Sequence, residues 1–178
     1  YEKVKVEGAF DLALRKFITK VNTTSVNNRY PVLSMSDSGN IKYTHPKDPV
    51  EVCTNDTVIY TIRIYNEGEI AGYANEITDD VPFGLEFITD NEINQQYRWK
   101  MLDGNGQETT DVSKAKYLVT DYLSEAQERE TGRNNLIKAF DREAGLSESN
   151  PDYRDVQIAF KVTYQVKEIS SILIEDKI

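Results

Sequence analysis

The 178-residue chain has one cysteine, Cys53, and one histidine, His45. A disulfide within the chain is therefore excluded. A Ser-His-Asp or Cys-His arrangement is nearly excluded too, since a nucleophile needs a base beside it and His45 sits in a Pro-flanked stretch. Cys53, next to apolar Val52, reads as a small core residue. No Walker loop, GxSxG or HExxH is present. No run of 18 apolar residues offers a membrane-spanning helix. The opening YEKVKVEGAF lacks the apolar centre of a signal peptide, so the chain reads as either cytosolic or a fragment of a longer exported protein, and a first residue other than Met favours the fragment. No Lys/Arg cluster offsets the formal charge of −9, which disfavours nucleic acid and anionic membranes as partners.

What is present points to β structure. About two-fifths of the chain is hydrophobic, enough for one sizeable core, and Tyr outnumbers Phe by 11 to 6. Residues 1–9 read as a linker and residues 10–178 as one domain. FDLALRKFITKVN alternates with period two: Phe10, Leu12, Leu14 and Ile18 share one face, and Lys16 falls on that same apolar face. DTVIYTIRIYN (residues 56–66) is the clearest strand, with Val58, Tyr60, Ile62 and Ile64 on one side. Strands are also expected at 73–78, from Leu85 and at 97–102, the last followed by the hairpin turn Asp103-Gly104-Asn105-Gly106. YRDVQIAFKVTYQV (residues 153–166) alternates again. Between them, Ala115, Leu118, Val119, Tyr122, Leu123 and Ala126 recur at spacings of three and four, which predicts a helical insertion at about 113–145. The fold class expected is mainly β: an antiparallel β-sandwich with a helical insertion.

Three stretches carry a family resemblance. DLALRK (residues 11–16), DTVIYTIRIYNEGEIAG (56–72) and ITDDVPFGLEFI (77–88) resemble, in that order, the Ig-like conserved-repeat domains of bacterial surface proteins and the isopeptide-forming domains of Gram-positive pilins and adhesins. The resemblance implies an Ig-like sandwich in a secreted or wall-attached protein. It also implies a buried lysine of the first strand that attacks an acceptor of the last strand, assisted by an acid. Lys16 takes the place of the amine and Asp79 that of the assisting acid. No Asn follows Asn150, so the acceptor is either Asp176, since some relatives use Asp, or a group on a final strand lying outside the chain. Without a cross-link, Lys16 would snorkel to the sheet edge or pair with a carboxylate such as Asp79.

Other constellations are weaker. Asp103 opens a calcium-like loop, but its twelfth position is Lys114 rather than Glu. Asp152 and Asp155 are candidates for no more than a surface cation site. Nothing singles out a pair of carboxylates facing across a cleft. Tyr73, Tyr97 and Trp99 offer either an aromatic platform for sugars or ordinary cross-strand packing. The expectation is a non-enzymatic structural or adhesive module, cell-surface or extracellular, with no cofactor and no metal. Its expected partners are neighbouring domains of the same protein and host or cell-wall glycan or protein. The alternative is a carbohydrate- or protein-binding module on the same fold.

Overall fold

The computed structural model describes residues 10–163 and the backbone of residues 171–174. In chain order, β1 (Leu12–Val21) and β2 (Thr24–Ser25) precede the hairpin of β3 (Val32–Met35) and β4 (Ile41–Thr44). Then come β5 (Val50–Cys53), β6 (Thr57–Asn66), β7 (Ile77–Asp80) and β8 (Leu85–Phe87). Helix α1 (Glu92–Gln96) leads to β9 (Lys100–Leu102), β10 (Glu108–Thr109), a 3₁₀ turn (Val112–Lys114) and β11 (Tyr117–Thr120). Helix α2 (Glu125–Thr131), β12 (Tyr153–Val162) and β13 (Ser171–Ile174) follow.

The protein is mainly β and its sheets are antiparallel. One sheet runs β2-β1-β6-β12-β8 and a second β10-β9-β11-β7, with smaller β13-β5 and β3-β4 pairs. β6 forms the centre of the first sheet because nearly all of its residues are β-branched or aromatic. Val58, Tyr60, Ile62 and Ile64 face inward, and the outward Ile59, Thr61 and Tyr65 are buried as well. A strand apolar on both sides needs cover on both sides. The inner cover comes from the second sheet: Ile18, Ile62, Ile64, Val156, Ile158 and Phe160 share one core cluster with Ile77, Met101 and Leu118. This arrangement is consistent with a β-sandwich. The outer cover is the segment 26–49, which includes the β3–β4 hairpin.

The free edge of β12 is closed by side chains. Asn94, only 2% exposed, donates to the carbonyls of Ile88 and Ala159, and its Oδ1 accepts from Ala159 N. Trp99 Nε1 donates to the Gln157 carbonyl at 2.7 Å. A buried strand edge thereby keeps its polar groups paired without a neighbouring strand.

The structure corrects several expectations. Residues 113–145 are not a helical insertion. Within them lie β11, a strand of the second sheet, and the single short helix α2. Leu118 and Thr120 are buried and Tyr117 and Val119 lie on the other face, which is period two. The three-and-four spacing around them arises because Tyr122, Leu123, Ile137 and Phe140 pack from irregular chain. The strand expected at 73–78 is confined to β7, and that at 97–102 to β9, preceded by α1 with Asn91 as its cap. Arg98 takes the left-handed turn, φ 59°, that ends α1. Cys53 is exposed rather than in the core, because Val52 takes the inward position of β5. The linker assigned to residues 1–9 and the candidate acceptor Asp176 lie outside the described residues.

Candidate functional site

Antiparallel register decides what meets what in the core. On the first sheet Lys16 pairs with Ile62, which pairs with Val156. On the second sheet Asp79 pairs with Leu118, which pairs with Met101. Both rows point inward, so the only charged member of each meets the other between the sheets. Lys16 Nζ lies 2.7 Å from Asp79 Oδ2, with the two side chains 9% and 16% exposed. The ammonium also sits 4.6 Å from the ring centroid of Tyr60 and 5.7 Å from that of Phe160.

Removing two charges from water is costly, and this site offsets that cost with one carboxylate and two ring faces. Asp79 is the only side chain hydrogen-bonded to Nζ among the described residues. An amine nitrogen and a carboxyl carbon are thus held next to each other in a nearly dry pocket. That is the condition under which proximity alone greatly raises the effective concentration of one group at the other. The structure thus brings together Lys16 and Asp79, two residues singled out in the sequence. Asp176 lies outside the described residues.

A second cluster lies on the outer face of the same strands. Arg63 of β6 makes a two-pronged ion pair with Asp155 of β12, at 2.8 and 3.0 Å. Its guanidinium lies 4.0 Å from the Tyr153 ring and 5.0 Å from that of Tyr30. Beside it, Arg15 sits 4.2 Å from the Tyr43 ring, and Tyr43 packs on Tyr65 with centroids 4.9 Å apart. The Tyr43 hydroxyl donates to Glu67. Burial first, and then that hydrogen bond to Glu67, push the Tyr43 phenol well above the usual tyrosine range. Tyr30 and Tyr43 both belong to segment 26–49, so these contacts strap it to the sheet. Alternation along residues 56–66 puts Arg63 on the face opposite Val58, Tyr60, Ile62 and Ile64, but no local pattern singles out the cluster. Its available signal was the outward row Arg63, Tyr65, Tyr153 and Asp155 on two long alternating strands.

The remaining candidates do not converge. Trp99 is buried and bonded to Gln157, Tyr97 packs on Tyr122 with centroids 4.6 Å apart, and the Tyr73 hydroxyl donates to Glu128. Each has a packing role, and the three form no common platform. The carboxylate of Asp103 accepts from the amides of Asn105 and Gln107 in its own turn, as a hairpin requires. Asp155 is occupied by Arg63, and Asp152 accepts from Lys138 N and Arg154. His45 is buried against Phe17, while Cys53 is on the surface of β5. No helix among the described residues is long and apolar enough to cross a membrane.

Comparison with protein-family models, with curated proteins and with solved structures gives no match.

Proposed function

We propose that this chain is a non-enzymatic structural or adhesive module of a bacterial cell-surface or secreted protein, with an Ig-like sandwich of the isopeptide-forming kind. The observation that carries the reading is the Lys16–Asp79 contact between the two sheets. A stalk module under load must resist the sliding of one sheet over the other, and a tie through the core opposes that motion directly. Its expected neighbours are further modules of the same protein, with host or cell-wall glycan or protein as targets.

In this reading Lys16 is the amine, and Asp79 takes the role of acceptor rather than assistant, because among the described residues its carboxyl is the one in contact with Nζ. The bond formed is Nζ–Cγ. Two amine hydrogens and one carboxylate oxygen leave together as water, and no oxidant or cofactor is needed. The test is the intact mass of the denatured protein, followed by peptide mapping. A mass one water below the sequence value, mapped to Lys16 joined to Asp79, supports the tie in covalent form. A loss of water mapped to Asp176 returns Asp79 to the assisting role. A loss of ammonia must be mapped with care, since ring closure at Asn105-Gly106 gives the same change. An unmodified mass in protein from its native source sinks the autocatalytic claim and leaves an ion pair.

A further inference from the structure

An open strand edge is a row of unpaired amides and carbonyls, and most proteins protect it with charge, shortness or cover. Edges of the two large sheets follow that rule, β1 carrying Arg15 and Lys20 along the edge that its short neighbour β2 covers only at Lys20 and Val21. β2 and β10 have two residues each and β8 has three. β12 is closed by Asn94 and Trp99. β7 carries Asp79 and Asp80. β3 is different: its sequence VLSM has no charge, and its only strand partner among the described residues is β4.

The hairpin register fixes which groups are free. Ser36 N donates to the Asn40 carbonyl, and Ser34 faces Lys42 while Val32 faces Thr44. In an antiparallel ladder the hydrogen-bonded pairs alternate. Ser34 and Val32 therefore bond to β4, while the amides and carbonyls of Leu33 and Met35 point to the open edge. Uncharged side chains flank that edge, with Val32 69%, Tyr30 50% and Met35 43% exposed.

We propose that the open edge of β3 pairs with β3 of a second copy of this chain, antiparallel, about a two-fold axis through Ser34. The register is self-complementary. With Ser34 opposite its own copy, Leu33 of each chain faces Met35 of the other. Each such pair exchanges two backbone hydrogen bonds, amide to carbonyl in both directions. No charged side chain within either strand faces a like charge. Pro31, which has no amide hydrogen, ends the pairing. This is strand addition with the chain as its own ligand. The net charge of −9 opposes the approach of two copies, so added salt strengthens the pairing by screening that repulsion. A surface module that pairs in this way would link neighbouring molecules side by side.

The test is sedimentation of the whole chain over a concentration series up to ~1 mM, at low and high salt. Reversible dimerisation that grows with salt is expected. Leu33→Pro removes an open-edge amide without touching the β3–β4 ladder, and Ser34→Lys places like charges across the axis. Each should weaken dimerisation roughly tenfold or more, the effect of about 1.4 kcal/mol. Thr78→Lys, on the β7 edge, should leave it unchanged, and circular dichroism confirms that each variant is folded. A chain that stays monomeric at high salt, or a dimer indifferent to both β3 variants, overturns the proposal.

Discussion

The two faces of the five-stranded sheet each enclose a cation, and they hold it in opposite ways. On the inner face Lys16 has one carboxylate among the described residues and lies in the closed space between sheets. On the outer face Arg63 has both oxygens of Asp155, the Tyr153 ring and the Tyr30 ring, and Asp155 remains 33% exposed. Among the described residues the inner site has no second ion-pair partner, so a lost partner leaves a charge among Tyr60, Phe160 and Leu118. The outer site shares its charge among several partners and water. The lesson is that a charge count does not predict the cost of a mutation, whereas partner count and enclosure do.

The largest expected effect follows from that contrast. Asp79→Ala should cost about 3–5 kcal/mol, the usual penalty for orphaning one half of a buried pair. Lys16→Met combined with Asp79→Leu should recover most of it, because the double change removes both desolvation costs and fills the pocket with apolar volume. Denaturant unfolding of Lys16→Met, Asp79→Leu and the double variant gives the coupling. Losses that simply add would mean the two side chains do not depend on each other, and the inter-sheet tie would fall with them.

The edge of the sheet offers a neutral counterpart. Asn94→Ala removes the side chain that pairs with Ile88 and Ala159, and leaves the Ala159 amide and carbonyl buried without partners. A loss of about 2–3 kcal/mol is expected, at roughly 1–3 kcal/mol for each unsatisfied buried group with some relief from water entry. Amide hydrogen exchange at Ala159 should accelerate more than at Val156. Equal protection at both sites would show that Asn94 does not close the edge.

These sites were unequally legible in the sequence. β1, β6 and β12 announce themselves through strict alternation, and that same alternation exposes Lys16 as a charge on an apolar face. Asp79 was matched to it only through the family resemblance of ITDDVPFGLEFI. The second sheet was largely hidden. β9, β10 and β11 have only 3, 2 and 4 residues, too few for a period to stand out from the helix-like spacing of the chain beyond them. Asn94 was invisible for another reason. Its role is to imitate a strand's backbone across 65 positions of sequence, and no local pattern encodes that. Cys53 shows the converse error, since residue type favoured burial while the phase of β5 turned it outward.

On the outer face, Arg63→Ala should cost less than Asp79→Ala, on the order of 1–2 kcal/mol, because Asp155 keeps access to water once its partner is gone. Loosening of segment 26–49 should accompany it, read as faster proteolysis between β3 and β4. A cost equal to that of Asp79→Ala would erase the distinction drawn between the two faces.

The smallest effect is a titration confined to the outer face. The Tyr43 phenol is held above its ordinary value of about 10 by burial and by Glu67. A raised folded value means that this contribution is complete below the unfolded value of about 10 and is lost as pH rises towards the folded one. Over that window the unfolded chain releases a proton that the folded chain keeps, so stability falls with pH. Tyr43→Phe removes the group from the balance. Its unfolding free energy should therefore decline less steeply than that of the wild type above about pH 10, even if it starts lower. Parallel slopes would mean that Tyr43 ionises freely in the folded chain, and the hydroxyl–Glu67 contact could then not be what straps segment 26–49 to the sheet. Only the Tyr43 hydroxyl differs between the two proteins, so the difference in slope isolates this outer-face contact alone.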